Sequence, residues 1–371
     1  MRALGIILAG GNNYRMKELS NKRAIAAMPV AGSYRSIDFV LSNMTNSHIK
    51  TVAVLTQYNA RSLNEHLSSS KWWDFGRKQG GLHVLTPTIT PNNSFWYQGT
   101  ADALYQNLDF LKQCHEPYVI LASGDGIYKL DYNKVLEYHV SKHADVTIVC
   151  TDCMDDDIRR FGVLKMDEDG RIEEFEEKPM VSVNNLISTG IYVVRRRQLI
   201  EMLERSGKEE RHDFVKDILI RYKNLKRIYG YKIDTYWRNI STVESYYQAN
   251  MDFLKPEIRD YFFRQYPGIS TKIEDLPPAK FNAGSKVKNS LISSGCIING
   301  SVENSVVFKK VFVGNNCVIK NCVIMNDVYI GDNTVLENCI VDSHDTIKEN
   351  SVFRGDNGIK VVVENSNRYT L

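Results

Sequence analysis

The alternation of apolar and polar positions divides the chain into two parts of different character. Up to about Pro256, short β-rich runs alternate with helical patterns. The runs include ALGIILA, TVAVLTQ, YVILAS, ADVTIVC and STGIYVV, and the helical patterns include TADALYQNLDFL and YNKVLEYHVSKH. This alternation predicts a mainly parallel sheet covered by helices.

Three local signals refine this picture. The extended runs FGVLKM and RIEEFEE flank DEDG, which predicts a β-hairpin. Ser241 and Glu244 have the spacing of a capping box, so a helix is expected to begin there. The stretch from Lys255 to Phe281 carries several prolines and no clear period, which favours a connection.

After Phe281 the pattern becomes a repeat. The motifs N-S-L-I, N-S-V-V, N-C-V-I and N-C-I-V begin at Asn289, Asn304, Asn321 and Asn338, and the last three are spaced by 17 residues. Three apolar clusters per turn, separated by polar corners, are typical of the hexapeptide repeats of a parallel β-helix. An antiparallel sandwich with accidental spacing is the alternative. We expect domains at 1–256 and 281–371, joined by a segment at 257–280.

Composition narrows the class of protein. The 371 residues are 43% hydrophobic with a net charge of +3, so the chain is globular and no basic arm points to nucleic acid. No apolar stretch approaches the roughly 20 residues of a membrane span, and MRALGIILAGG is a strand rather than a signal peptide. Seven cysteines in mostly apolar surroundings favour reduced thiols in the cytoplasm. Cys150 and Cys153 have CxxC spacing but no second pair to complete a metal site.

Several motifs, taken in order, resemble the glucose-1-phosphate adenylyltransferases (ADP-glucose pyrophosphorylases) of bacterial glycogen synthesis. They cover nearly the whole chain and begin at Leu8 (LAGG), Tyr34 (YRSIDFVLSN), Val54 (VLTQYNARSLNEHL), Trp96 (WYQGTADALYQN), Ala122 (ASGDGIYKLDY), Phe175 (FEEKP), Ser188 (STGIYV) and Tyr236 (YWRNISTVESYYQAN). The resemblance implies an α/β, Rossmann-like nucleotidyltransferase domain followed by a left-handed parallel β-helix. It implies ATP and glucose 1-phosphate as substrates, ADP-glucose and pyrophosphate as products, and Mg²⁺ held by carboxylates beside the phosphates.

The resemblance also implies roles for individual residues. Glu177 and Lys178 fit the motif that binds the sugar hydroxyls and the sugar phosphate, although alone they could be a solvated charge pair. The remaining sugar-phosphate residues would be Ser188, Gly190 and Trp237. The nucleotide-binding residues, vestigial if catalysis is lost, would be Leu8, Gly10, Gly11, Gln57, Gly99 and Thr100. Backbone N–H groups at Gly99 and Thr100 would face the nucleotide, and Asp102 is more simply a helix N-terminal charge.

The phosphate and metal positions depart from the family. Where the family turn usually reads GGRGTRL, this chain has GGNNYRM, which keeps Arg15 and places Asn13 at the third glycine. A lysine that meets phosphate in the family is Ile25 here. Of two metal-binding aspartates, Asp125 is kept and the second is Asn239, which supplies no charge. Other family residues are changed at Glu18, Gln98 and Gly126.

These departures point to a retained fold with lost catalysis. We expect a regulatory, catalytically weak or inactive subunit of the GlgD type, which assembles as a tetramer with a separate catalytic chain and tunes it, in response to a small-molecule effector. Whether Mg²⁺ binds is doubtful on this interpretation. The alternatives are an active adenylyltransferase with a rearranged metal site around Asp125, a sugar-phosphate or nucleotide sensor that acts without a catalytic partner, and an acyltransferase.

Overall fold

A computed structural model describes residues 2–11, 14–76, 80–88, 95–153, 158–181 and 184–363. The chain forms two compact units. Unit 1 contains residues 1–11, 39–60 and 67–237, and unit 2 contains residues 12–38, 61–66 and 238–371. The domain boundaries expected from the sequence, at 256 and 280, remain predictions.

Unit 1 is built on a nine-stranded sheet. Its strands are β1 (Ala3–Leu8), β2 (Thr51–Leu55), β3 (Gly81–Leu85), β4 (Tyr118–Ser123), β5 (Val146–Asp152), β6 (Gly162–Met166), β7 (Ile172–Glu177), β8 (Leu186–Arg195) and β9 (Ile228–Lys232). The order is β7-β6-β8-β4-β1-β2-β3, and β5 joins β8 to β9. The sheet is mixed rather than mainly parallel, because β8 runs antiparallel to β4, β5 and β6.

The hairpin predicted around DEDG is present as the antiparallel pair β6 and β7. Unit 1 also contains α3 (Thr100–Gln106), α4 (Leu108–Gln113), α5 (Tyr132–Ser141), α6 (Arg196–Lys208), a π-helix at Phe214–Ile220 and most of α1 (Ser36–Asn46), whereas α2 (Arg61–Leu67) falls mostly in unit 2. The short elements of unit 1 are 3₁₀ turns at Ser70–Trp73 and Ile158–Arg160 and a strand at Gly126–Tyr128. Those of unit 2 are 3₁₀ turns at Tyr14–Ser20 and Ile25–Ala27 and strands at Pro29–Val30 and Tyr34–Arg35, and the strand Trp237–Asn239 begins in unit 1 and ends in unit 2. Apolar residues of α3, α6 and the inner strands form the core.

Unit 2 contains the parallel β-helix that the repeats predicted. Three five-stranded parallel sheets form its sides. One side is Lys280–Phe281, Ile297–Ile298, Phe312–Val313, Tyr329–Ile330 and Thr346–Ile347; the second is Lys286–Lys288, Ser301–Glu303, Val318–Lys320, Val335–Glu337 and Val352–Arg354; the third is Leu291–Ile292, Val306–Val307, Val323–Ile324, Cys339–Val341 and Lys360–Val362. The inward residues stack into one apolar column.

The helix expected near Ser241 is present, but its capping box was predicted with the wrong residues. Helix α7 (Val243–Asp252) begins with a capping box formed by Thr242 and Ser245, not by Ser241 and Glu244. The expected connection after Lys255 begins with helix α8 (Pro256–Arg259) and a π-helical turn at Asp260–Arg264. Helix α8 and the π-helical turn, of four and five residues, are too short for a periodic pattern to be visible in the sequence.

Candidate functional site

The candidate residues of unit 1 gather where β1, β2 and β4 end. Leu8 lies in register with Leu55 on one side and Ser123 on the other, so the three parallel strands end at the same level. Chain segments that leave this edge carry Gly10, Gln57 and Asp125. In open α/β sheets this carboxyl edge is where ligands bind.

Gly10 and Gln57 lie against each other at this edge. A Cβ atom at Gly10 would be 3.4 Å from the Gln57 Cβ, so the first glycine of the turn allows a close approach of the two loops. Next to it, Gly11 is exposed and has open space around its Cα atom.

The Gln57 amide is occupied by the protein's own backbone. Its Oε1 accepts a hydrogen bond from the Tyr97 amide at 2.6 Å, and its Nε2 donates to the Tyr97 carbonyl at 3.2 Å. Gln57 therefore fixes the segment before α3 by a two-point contact. This contact uses the groups that the resemblance assigns to a nucleotide.

Gly99 and Thr100 also make contacts within unit 1. The amides of Ala101 and Asp102 donate to the His212 carbonyl at 2.7 and 3.3 Å, and Thr100 Oγ1 accepts from the Phe214 amide at 3.0 Å. A Cβ atom at Gly99 would collide with the same carbonyl. Gly99 is therefore needed for close packing against His212. The amides of Ala101 and Asp102, at the start of α3, are bonded to protein rather than directed at a ligand.

Asp102 has the structural role expected for it. Its buried Oδ2 accepts hydrogen bonds from the Gln98 amide and the Gln106 side chain, both at 2.8 Å. The carboxylate thus stabilises the first turn of α3, where negative charge is favourable.

The sugar-side candidates are brought together by β6, β7 and β8. Glu177 pairs with Gly162, and a Cβ atom on that glycine would be 2.9 Å from Glu177 Oε2. The carboxylate is largely buried, and its Oε1 lies 3.1 Å from the half-exposed ammonium of Lys178. Lys178 has a left-handed backbone, with a φ of 52°, and its amide donates to the Phe161 carbonyl. A left-handed conformation is uncommon for a lysine, and here it turns the chain at the end of β7.

A bulge in β8 positions Ser188 and Gly190. The register with β5 shifts between Ser188 and Ile191, and Gly190 takes a φ of 75°. Ser188 Oγ lies 3.2 Å from the Tyr192 hydroxyl and accepts a hydrogen bond from the Gly190 amide. Burial raises the pKa of Tyr192, and the Glu177 carboxylate raises it further, so its hydroxyl stays protonated. Bulges of this kind redirect side chains beside active sites.

Trp237 has an unsatisfied donor. Its ring packs edge-on against Phe161 with centroids 5.6 Å apart, and its buried Nε1 has no hydrogen-bond partner in the described part of unit 1. Gly126 is a neighbour of this donor, since a Cβ atom added there would be 3.7 Å from Nε1. A buried N–H without a partner is costly, and a ligand oxygen would satisfy it.

The metal site implied by the resemblance is only partly represented. Asp125 accepts a hydrogen bond from Ser123 Oγ at 2.5 Å. The described residues contain no group of three or more His, Cys, Asp or Glu side chains that could hold a metal ion. The donors that are present therefore do not fit a divalent cation held by the protein alone.

Three of the candidate positions belong to unit 2. Ile25 is buried in the turn Ile25–Ala27. Arg15 is partly exposed, and its guanidinium lies 5.8 Å from the Tyr14 ring. Asn239 accepts a hydrogen bond from the Ser241 amide at 2.9 Å through Oδ1. Asn13, which stands at the family's third glycine, lies outside the described residues.

The structure adds residues that the sequence did not single out. Gly162 makes room for Glu177, Tyr192 supports Ser188, and His212 closes the start of α3. Gly162 and His212 lie on different elements from the residues that they support, whereas Tyr192 lies four residues after Ser188 on β8. Only Gly162, a glycine inside a strand pattern, carried a recognisable signal of close approach. No helix in the described residues is long and apolar enough to cross a membrane.

Comparison with known proteins gives consistent matches to both parts of the chain. Residues 4–256 match the Nucleotidyl transferase family, and residues 277–358 match the GlmU-like C-terminal hexapeptide family. The chain is 41% identical over 323 residues to a glucose-1-phosphate adenylyltransferase of Thermosipho melanesiensis, which covers 85% of this chain and 77% of the relative. It is 41% identical over 319 residues to a protein of the same name from Clostridium acetobutylicum, with 85% and 84% covered.

Proposed function

Because this chain belongs to the glucose-1-phosphate adenylyltransferase family, with a nucleotidyltransferase domain and a left-handed parallel β-helix, we propose that it is a regulatory, catalytically weak or inactive subunit. On this proposal the chain binds a separate catalytic chain and tunes its activity, within a heterotetramer. The reaction that it modulates joins ATP and glucose 1-phosphate to give ADP-glucose and pyrophosphate.

The observation that carries the proposal is the missing charge at Ile25 and Asn239. Two polyanionic substrates must meet in the family reaction, so cations are needed along the phosphates and carboxylates around Mg²⁺. Ile25 is 9% exposed and apolar, and it cannot neutralise a phosphate. Asn239 presents a neutral amide whose Oδ1 is already bonded to the Ser241 backbone.

The nucleotide side of unit 1 supports the same proposal. The side-chain amide of Gln57 is bonded to the backbone of Tyr97 through both Oε1 and Nε2. Binding a nucleotide through this amide would require a contact that now stabilises the protein to be broken. Weak nucleotide binding follows.

One observation favours the alternative of an active enzyme with a rearranged metal site. Asp125 is retained at the sheet edge, and Glu177, Ser188 and the free N–H of Trp237 form an ordered sugar side. Sugar-phosphate binding, with or without turnover, is compatible with this arrangement. Activity measurements separate the two.

The first experiment is an assay of the purified chain with ATP, glucose 1-phosphate and Mg²⁺. We expect turnover far below about 1 per second, the lower end of ordinary enzyme rates. Adding the catalytic chain from the same cells should give a stable heteromer with activity or effector response different from the catalytic chain alone. Ordinary turnover by the isolated chain would contradict the proposal, and failure to co-purify with a catalytic chain would favour a free sensor.

Restoring the charges is the complementary test. Asn239→Asp combined with Ile25→Lys should raise the activity of the isolated chain, because it returns one anion to the metal side and one cation to the phosphate side. Ile25 is buried, so Ile25→Met with Asn239→Asp is the matched control for changes in stability. If the unmodified chain is already active and Asp125→Ala abolishes that activity, the alternative is correct.

A further inference from the structure

Two cysteines of the β-helix lie directly next to each other in consecutive coils. Val323 is in register with Ile340, so the residues that precede them, Cys322 and Cys339, occupy the same position of their coils. Neighbouring strands of a sheet are about 4.8 Å apart. This spacing falls within the Cα separation of roughly 4.4–6.8 Å that a disulfide bond spans. Both side chains are buried, and both are thiols in the structure.

The two thiols also point in the same direction. Cys322 Sγ donates to the Lys320 carbonyl and Cys339 Sγ donates to the Glu337 carbonyl, both at 3.1 Å. Each side chain therefore turns back to the carbonyl two residues earlier, and the two sulfur atoms stack along the axis of the β-helix. The thiols are within hydrogen-bonding reach of each other.

Other cysteines of the chain lack such a neighbour. Cys150 and Cys153 are three residues apart in extended chain, which places their Cα atoms about 10 Å from each other, too far for a disulfide bond. Cys317 is also buried in the β-helix, but the residues stacked on it are Gly300 and Thr334. The close thiol pair is therefore specific to the third side of the β-helix.

Helix α7 covers the thiol pair. The Tyr247 hydroxyl of this helix donates to the Asn321 carbonyl at 3.0 Å. Burial, followed by the proximity of both thiols, raises the pKa of Tyr247 to about 12. Burial also raises the pKa of the Cys322 thiol, and a protonated thiol is a poor nucleophile. The pair is therefore unreactive while α7 is in place, and it reacts when this contact opens.

From this geometry, we propose that Cys322 and Cys339 form a reversible disulfide bond that links two consecutive coils. One thiolate attacks a small-molecule disulfide, displaces one thiol and forms a mixed disulfide, and the second cysteine then displaces the other thiol. In total two S–H bonds break and one S–S bond forms in the protein. The small-molecule disulfide accepts two electrons and two protons and becomes two thiols. The inference concerns the isolated chain and does not rest on the proposed function.

The bond should be easy to reduce. The Cβ atoms of residues stacked in a parallel sheet are separated by the strand spacing of about 4.8 Å, whereas those of a disulfide are roughly 3.5–4.5 Å apart. The two coils must approach each other locally to close the bond, which leaves it strained. Strained disulfides are reduced more readily than relaxed structural ones, so reduced glutathione in excess should restore both thiols.

Mass spectrometry of the folded full chain tests the bond directly. The chain carries Cys114→Ser and Cys153→Ser, which remove the two half-buried thiols, and is incubated with oxidised glutathione. After the remaining thiols are blocked, we expect a peptide pair joined through Cys322 and Cys339, lighter by two hydrogen atoms and separated again by reduced glutathione. Glutathione adducts without the joined peptides, or no reaction at all, would overturn the proposal.

A serine variant locates the bond. Ser305 holds the position of Cys322 in the preceding coil and donates to the Glu303 carbonyl at 2.7 Å, so Cys322→Ser fits the β-helix. This variant should form no joined peptides and at most a glutathione adduct at Cys339. Its matched control is Cys317→Ser, which removes a buried thiol of the same β-helix and should leave the bond unchanged. Joined peptides that persist in Cys322→Ser would overturn the assignment.

The rate of oxidation tests the covering role of α7. Tyr247→Phe keeps the ring and removes the hydrogen bond to the Asn321 carbonyl, so α7 should open more often and oxidation should be about fivefold faster. Tyr266→Phe is the matched control, because this tyrosine is 97% exposed and its hydroxyl should not affect the rate. Equal rates for Tyr247→Phe and the unmodified chain would overturn this role of Tyr247.

The link between coils should also stabilise the β-helix. A disulfide between positions 17 residues apart restricts the unfolded chain, so the oxidised chain should unfold a few degrees above the reduced chain. Thermal unfolding followed by circular dichroism measures the difference, which should disappear in Cys322→Ser. An oxidised chain with the joined peptides but without a higher unfolding temperature would overturn the stabilising role of the bond.

Discussion

His139 is a buried titratable residue of α5 that contacts no candidate ligand-binding residue. Its Nδ1 lies 2.8 Å from Thr147 Oγ1, the edge of its ring packs on Tyr118, and its buried Nε2 has no hydrogen-bond partner within the described residues. Burial lowers the pKa of His139 to about 4, and the positive charge of Arg195 lowers it further. The folded protein therefore holds this imidazole in its neutral form.

Stability should fall in mildly acidic solution because of this residue. The unfolded chain binds a proton near pH 6.5 and the folded chain only near pH 4, so the free energy of unfolding decreases as pH falls through this window, by on the order of 3 kcal/mol in total. Urea unfolding at pH 7.5 and pH 5 measures the loss. In His139→Gln the loss should be much smaller, whereas the exposed His115→Gln should behave like the unmodified chain. Equal losses in all three would show that His139 does not titrate in this way.

The candidate site shows which of its features a sequence motif predicts and which contacts it does not. The sequence identified Gly10, Gln57 and Asp125 as candidate residues, and the structure places them just after the ends of β1, β2 and β4. It did not predict that Gln57 is bonded to Tyr97 or that the start of α3 is closed by His212. These partners are 40 and more than 100 residues away in the chain, and no local propensity encodes such pairings.

Among the secondary-structure elements, the β-helix was the most predictable because each coil repeats the same local requirements. The repeated asparagines at 304, 321 and 338 are corner residues with φ near +50°. Their side chains form a ladder that stacks one coil on the next, as the sequence spacing of 17 residues implies. The ends of individual helices were less predictable. The capping box of α7 lies one residue later than predicted, because Ser241, Thr242 and Ser245 are all residue types that favour a helix start.

The corner ladder should contribute measurable stability. Asn321 has a φ of 51°, accepts from Asn304 at 3.2 Å and donates to Asn338 at 3.1 Å. Asn321→Ala loses both hydrogen bonds and places a Cβ residue in the left-handed region without side-chain compensation, so we expect a loss of about 2–3 kcal/mol. Asn321→Gly keeps the backbone conformation and should lose less. Urea unfolding of the two variants separates the two contributions, and an equal loss would mean that backbone conformation contributes little.

Over the whole molecule, neither compact unit is one continuous stretch of the chain. The chain passes between the units at 11–12, 38–39, 60–61, 66–67 and 237–238. Residues 12–38, which contain the altered phosphate loop and Ile25, thus belong to the same unit as the β-helix. A pattern of local elements cannot reveal this, because the association depends on contacts between segments some 300 residues apart.

The buried ion pair of Arg23 and Asp342 is one such contact inside unit 2. Arg23 Nη1 lies 2.5 Å from Asp342 Oδ1, and the two side chains are 9% and 1% exposed. The Ser343 amide also donates to Asp342, and the guanidinium contacts Met325 Sδ at 3.4 Å. The pair joins positions separated by 319 residues, so its loss should loosen the attachment of residues 12–38 to the β-helix.

Removing only one charge of this pair should therefore lower the free energy of unfolding more than removing both charges. Arg23→Met leaves the Asp342 carboxylate buried without its main cation, and we expect a loss of about 3–5 kcal/mol in the free energy of unfolding. The double variant Arg23→Met with Asp342→Leu removes both charges and should recover most of that loss. The exposed pair of Arg354 and Glu337 is the matched control, because Arg354→Met should cost no more than about 1 kcal/mol. A double variant as unstable as the sum of the two single variants would show that Arg23 and Asp342 act independently, and that residues 12–38 are held to the β-helix by other contacts.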